Sequence, residues 1–293
     1  MALLQSRQPV PNSQTRRRFS LKYRGGTLYS LAAASLVILF LVAVFAPAVA
    51  PYDPLAANPI DKFLPPLSSG HILGTDELGR DILSRLIYGA RIALFLAVVP
   101  TLIALVVGGL IGLLAGYCGG VVDAVIMRVF DVMFAFPGIL LALGISAALG
   151  AGFGSMLTAM VVVAIPEFGR LVRGCVLTVK ENLYVEAART LGLSNIKIAL
   201  RHVLPNLRAP IIVMTAMQTG NNVILGASLS FLGLGAQPPT PDWGAMLDGG
   251  KSAMLNAPHV ATIAGLAIVY LTICFNLVGD AVRDRFDPSS TNR

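Results

Sequence analysis

Charge is scarce in this sequence. Asp, Glu, Lys and Arg make up 13% of its 293 residues, against 55% hydrophobic residues and a mean hydropathy of +0.75. Soluble domains carry about 25% charged residues, so that class is excluded and a polytopic membrane protein is implied. Cysteine is nearly absent. Cys118, Cys175 and Cys274 lie far apart, in or beside apolar blocks and without metal-ligand spacing, which reads as small apolar packing residues. His71, His202 and His259 are scattered, and there is no Ser/His/Asp or His/Cys/Asp set. An intramembrane hydrolase needs a nucleophile and a base on facing helices, and none is visible. A phosphate-binding loop is lacking too. Gly249-Gly250-Lys251-Ser252 ends like one, but Ala245 stands where the first glycine is required and no strand precedes it. The chain has no energy source of its own. The net charge of +7 points to no nucleic-acid partner, because in a membrane protein the distribution of Lys and Arg matters more than their sum.

What is abundant is apolar sequence in blocks. These predict an all-α integral membrane protein with six transmembrane helices at 28–50, 90–117, 121–149, 155–179, 209–234 and 260–278. Residues 1–27 form a basic tail, 51–89 an external segment, 180–208 a polar loop and 283–293 a short tail. Two decoys precede the first external segment. Arg16-Arg17-Arg18-Phe19 resembles a twin-arginine export signal and Ala48-Val49-Ala50 a cleavage site. The apolar run between them exceeds the roughly 7–15 residues of a cleaved signal, so a retained anchor is expected. With both termini cytosolic, the inner segments hold sixteen basic residues and the outer ones four, Lys62, Arg80, Arg85 and Lys251.

Several polar stretches have two readings. Asp76, Glu77 and Asp81 form either a carboxylate site or a helix capped by Thr75 or Asp76, lying on the membrane surface with Arg80 and Arg85 pairing locally. Asp123, Arg128 and Asp131 either anchor the third span at its cytosolic end or serve a function there; Arg128 and Asp131 are one helical turn apart and can pair. Pro137 is expected to kink that span. Gly108, Gly109, Gly112 and Gly116 give the second span one small face, suited to close helix packing. The fifth span carries Gln218, Asn221 and Asn222 at helical spacing, which either line a water-filled path or hydrogen-bond between helices. Trp243 falls where interfacial aromatics are expected.

The stretch 186–205 is a polar island between long apolar blocks. Val185, Ala188 and Leu191 recur at helical spacing, Gly192 breaks the helix, and Ser194 or Asn195 can cap a second one running to Leu204. Chemistry alone leaves it as a helical connector or a docking hairpin. Its spacing resembles the "EAA" loop of bacterial ABC import permeases: Glu186-Ala187-Ala188, three residues, Gly192, nine residues, an apolar position, one residue, then Leu204-Pro205. His202 occupies the apolar position and departs from the pattern. The strings Ser228 to Gly235, Pro238 to Gly244 and Phe275 to Asp280 are similar to the second permease of dipeptide importers.

This resemblance implies a type I ABC importer permease fold over 90–282 and a non-catalytic subunit of the bacterial inner membrane. Its partners would be a related permease, an external solute-binding protein and two cytosolic ATPases that bind ATP and Mg. By the same resemblance, Glu186, Ala187, Ala188, Arg189, Gly192, His202, Leu204 and Pro205 dock an ATPase, and the cargo is a dipeptide or short oligopeptide. Glutathione, nickel chelates and opines are the alternatives within the same branch. A secondary transporter would need titrating carboxylates near the midplane and inverted repeats, and neither is apparent. A non-transporting membrane subunit would not need the amide-rich fifth span.

Overall fold

The computed structural model describes residues 22–68, 70–190, 193, 195–198 and 204–286. The apolar run after the basic tail forms α1 (Lys22–Val44), followed by one turn, α2 (Ala46–Val49). The loop to residue 81 contains a 3-10 turn, Pro59–Asp61, whose flanking Asn58 accepts a hydrogen bond from the Ile60 N–H. The long helix α3 (Ile82–Cys118) comes next. At about 1.5 Å per residue it is longer than a bilayer core of about 30 Å requires.

The separate surface helix expected from Thr75 or Asp76 does not form. Asp81 is the cap instead, its Oδ2 accepting the Ser84 N–H at 2.7 Å, and the helix runs unbroken into the span. The reason lies in the preceding turn. Asp76 Oδ1 accepts the Leu78 and Arg80 N–H groups at 2.9 and 3.0 Å. Gly79 sits at φ +72 against the Asn58 backbone, a conformation that no helix continues through. Arg80 does pair locally, Nε to Asp76 Oδ2 at 2.7 Å, and Arg85 Nε lies 3.4 Å from the same oxygen without an aligned hydrogen bond.

The expected kink at Pro137 is a break. α4 (Gly120–Phe134) and α5 (Gly138–Leu149) meet at 92°, because Pro137 takes an extended ψ of 131° as the residue before α5. Helix α6 (Phe153–Lys180) follows, then α7 (Leu183–Thr190), α8 (Asn195–Ile198) and a 3-10 turn, Leu204–Leu207. The bundle closes with α9 (Arg208–Phe231), the short α10 (Trp243–Lys251) and α11 (Pro258–Phe286).

Helices α1, α3, α6 and α11 are long and apolar enough to cross a membrane, and the bent α4–α5 pair is a fifth if it makes one span. The sixth expected span is α9. Its 24 residues have the length, but its amides and hydroxyls make it too polar to be counted on composition.

The seam between α3 and α6 is the tightest in the bundle. A Cβ on Gly108 would strike the Ile165 carbonyl, one on Gly112 the Gly169 backbone, and one on Gly116 the Val176 side chain. Contacts that advance together in both helices show that α3 and α6 run parallel. The hydrogen bond from Lys180 Nζ to the Tyr117 carbonyl, 3.0 Å, joins their C-terminal ends. Helices α9 and α11 run antiparallel, with Gly220 under Asn276 and Gly279 against Ala216. Tyr29 Oη donates to Asp284 at 3.1 Å. The start of α1, the end of α11 and the α7–α8 loop therefore share one end of the bundle, and the 51–81 segment and α10 share the other.

Candidate functional site

The α7–α8 hairpin is anchored on the bundle. Val185 and Ile198 are fully buried, and with Leu207 they pack against Val172, Val176 and Val179 of α6. Leu113, Tyr117, Leu193 and Ile211 close around them. Val185, Ile198 and Leu207 thus anchor the hairpin, while Leu183, Tyr184, Thr190, Lys197 and Leu204 face outward. Asn206 Nδ2 donates to Tyr184 Oη at 3.2 Å, holding the 3-10 turn beside the start of α7.

Glu186, Ala187, Ala188 and Arg189 lie on α7, but the surroundings of their side chains, like Gly192 and His202 altogether, fall outside the described residues. Leu204 is exposed and Pro205 half-buried. Sequence reasoning missed Leu183 and Tyr184. The signal was there: two large side chains open a helix whose next apolar residue, Val185, faces inward.

Just inside this end, α4 is held to α6 by ion pairs. Arg173 grips Asp123 with two hydrogen bonds, Nε at 2.8 Å and Nη2 at 2.6 Å. Arg170 bonds Asp131 and lies 4.2 Å over the Phe134 ring. The expected Arg128–Asp131 pair exists only at 4.0 Å between largely exposed groups. Arg170, reaching across from α6 and resting on the Phe134 ring, makes the close charge-assisted bond to Asp131 instead. The exposed pairs at Asp131 are worth about 0–1 kcal/mol each, so they orient α4 more than they stabilise it, while the half-buried Arg173–Asp123 pair is the firmer tie.

The three candidate path residues do not share one environment. Asn222 is fully buried, and its Nδ2 donates to Thr101 Oγ1 of α3 at 2.9 Å. Gln218 is also buried, with Nε2 3.5 Å from Asn222 Oδ1. Asn221 is exposed. In this chain Asn222 bridges the α3–α9 seam, Gln218 is buried beside it, and Asn221 faces out. Thr101, which sequence reasoning passed over as one hydroxyl in an apolar run, is the partner of Asn222. A cysteine at 221 is expected to react with a membrane-impermeant maleimide in at least one nucleotide state of the transporter. A cysteine at 222 should stay protected in all of them. Equal labelling at both positions would refute this division.

At the other end, Asp242 caps α10. Its Oδ1 accepts the Gly244 and Ala245 N–H groups at 2.8 and 3.2 Å, and its Oδ2 accepts the Ser230 hydroxyl at 3.1 Å. Burial pushes its carboxyl above the usual range, opposed by those three hydrogen bonds. Trp243 is not an interfacial anchor. It is buried, donating Nε1–H to the Leu86 carbonyl at 3.0 Å, with Gly89 leaving room for its ring. A raised carboxyl contributes stability that is lost as pH rises from the unfolded value through the folded one. Asp242→Asn keeps an oxygen for the Gly244 and Ala245 N–H groups and removes the titration. The Tm of the wild type relative to Asp242→Asn should therefore rise as pH falls from neutral toward the carboxylate range. A gap between the two that is independent of pH would contradict the assignment.

The cysteines also divide by environment. Cys274 is buried, Cys175 half-buried and Cys118 exposed at the α3–α4 turn, so only Cys274 is the buried packing residue expected.

The family of binding-protein-dependent transport system inner membrane components matches residues 108–292. The chain is similar to the glutathione transport system permease protein GsiD of Pectobacterium atrosepticum, 46% identical over 258 residues, 87% of this chain and 86% of that protein. GsiD of Escherichia coli O157:H7 is 44% identical over 270 residues, 92% of this chain and 89% of its own length. Among solved structures, an inward-facing MetNI methionine ABC transporter overlaps with a TM-score of 0.56 at 17% identity, covering 70% of this chain and 97% of the matched chain.

Proposed function

We propose, from the premise that this chain belongs to the family of binding-protein-dependent transport system inner membrane components, that it forms one wall of a path for short peptides of the glutathione class. The chain is a non-catalytic, multi-pass inner-membrane permease of an ABC importer, and such a permease works with ATPase and solute-binding partners. Its cargo is the finer question. The observation that carries the glutathione reading is 46% identity across 87% of the chain to a permease named for glutathione transport. Dipeptides and short oligopeptides, toward which the strings around Ser228, Pro238 and Phe275 point, are the nearest alternative.

The loop end of the bundle is read as cytosolic, because Arg170, Arg173, Lys180, Lys197, Arg208, Arg283 and Arg285 all lie on the elements that meet there. ATP and Mg belong to the ATPases. Force enters through the α7–α8 hairpin, since its buried Val185 and Ile198 are continuous with α6, so a push on the hairpin moves α6 and, through the glycine seam, α3. A related permease is taken as the second wall, exposing Asn221 to the path between them. The test is uptake of labelled glutathione by the assembled transporter in vesicles, with a dipeptide panel and nickel chelates as competitors. Saturable, ATP-dependent glutathione uptake supports the reading. ATP-driven uptake of dipeptides with glutathione excluded would replace it.

A further inference from the structure

We propose that the trough between α1, α3 and α11 holds an anionic phospholipid, its phosphate on Arg91 and an acyl chain along the trough. The trough encloses about 620 Å³. Its walls are Leu36 and Phe40 of α1 and Leu94, Phe95 and Val98 of α3, with Phe275 of α11 contributing. Phe40, Phe95 and Val98 are exposed, and Arg91 is the one charged residue of the lining.

Arg91 stands where α1 ends. Its Nε donates to the Ala43 carbonyl at 2.6 Å and its Nη2 to the Val44 carbonyl at 3.0 Å. These carbonyls belong to the last turn of α1, where helix acceptors lack intrahelical partners. The guanidinium also lies 5.2 Å over the Tyr88 ring. All of these partners are neutral. Among the described residues no carboxylate comes within ion-pair distance of Arg91, whereas Arg80, Arg85, Arg170 and Arg173 each have one. A guanidinium has five N–H donors, and two are engaged, so donors and a full positive charge remain at the trough's mouth.

The depth is that of a headgroup. Helix α1 ends at Val44, the apolar sequence ends a turn and a half later at Ala50, and the polar 51–81 segment begins at Pro51. Arg there with Tyr88 beside it is the arrangement of an interfacial belt. A planar guanidinium binds a phosphate through paired, charge-assisted bonds, and basic pockets between membrane helices take lipid headgroups. A helix of a second permease would cover the apolar walls and leave the charge unneutralised. An anionic lipid satisfies both, and it does so whichever side of the membrane this end faces.

The test is native mass spectrometry of the assembled transporter in micelles doped with phosphatidylglycerol or phosphatidylcholine. The wild type is expected to retain phosphatidylglycerol with about a fivefold or greater preference. Arg91→Gln keeps a donor for the α1 carbonyls and should bring the two lipids to parity. Leu94→Trp fills the trough, leaves Arg91 in place and should lower occupancy by both. Equal retention by the wild type, or a preference surviving in Arg91→Gln, overturns the proposal. So does efficient cross-linking of a cysteine at position 98 to the partner permease, which would place a protein helix in the trough.

Discussion

Replacing Leu183 and Leu204 together by Asp is expected to lower ATP-driven uptake by about tenfold or more while the subunit still inserts and assembles with its permease partner. Leu183 is 82% exposed and Leu204 43% exposed. They lie on the stretch joined by the Asn206–Tyr184 hydrogen bond. Leu183 stands clear of the bundle and Leu204 only borders it; the anchoring falls to Val185 and Ile198, both at 0%. Exposed apolar side chains beside a buried anchor are what a soluble partner would cover. Interface anchors are worth about 2 kcal/mol or more when removed, and about 1.4 kcal/mol is tenfold in affinity. Introducing two carboxylates adds desolvation cost on top.

The informative measurements are uptake in vesicles and co-purification of the ATPase with the variant. Normal uptake with normal ATPase recovery would remove this patch from the docking face. Val185→Asp would not serve as the test. It would bury a charge under the hairpin and disrupt the seat, so loss of function would carry no information about docking.

Gly112→Val should be the most damaging single substitution in the bundle core. A Cβ at 112 lands on the carbonyl oxygen, carbonyl carbon and Cα of Gly169, and backbone cannot rotate aside as a side chain can. The α3 and α6 helices must separate, which strips the neighbouring contacts of Gly108 and Gly116 as well. Overpacking typically costs about 1–3 kcal/mol, and a backbone–backbone clash belongs at or beyond the top of that range. The readout is a sharp fall in monodisperse subunit and a lower Tm. Gly109→Ala, in the same glycine run, is the control. Its Cβ would meet only Val172 Cγ2 at 3.8 Å, an ordinary contact, and replacing a mid-helix glycine by Ala gains about 0.5–1 kcal/mol. Equal stability of Gly112→Val and wild type would show that the seam is looser than described.

Much of this molecule is legible in the order of its residues. Scarce charge and long apolar blocks require helices that satisfy their own backbone in lipid, and this determined the helical class and the approximate position of each span. The basic residues clustered at 166–208 and in both tails, together with the Glu186-Ala187-Ala188 pattern, marked the loop. The glycines of the second span announced a close helix neighbour. These signals are local or additive along the chain, so one sequence carries them.

The rest depended on which element each residue meets. Pro137 predicts a disturbance, but whether a proline kinks or breaks a span depends on what the next segment packs against, and α5 turns through 92°. Asp76 and Asp81 are both good caps, and a tertiary brace between Gly79 and Asn58 passed the role to Asp81. Trp243 has the composition of an interfacial residue, and the space left by Gly89 drew it inside. The amides of α9 share a helical stretch, yet Asn222 found Thr101 across 121 positions of sequence while Asn221 did not turn toward it. Periodicity tells which residues lie near one another on a helix. Only the packed neighbours tell which of them are wet, because burial and hydrogen-bond partners are properties of pairs of elements, and the pairing is made in three dimensions.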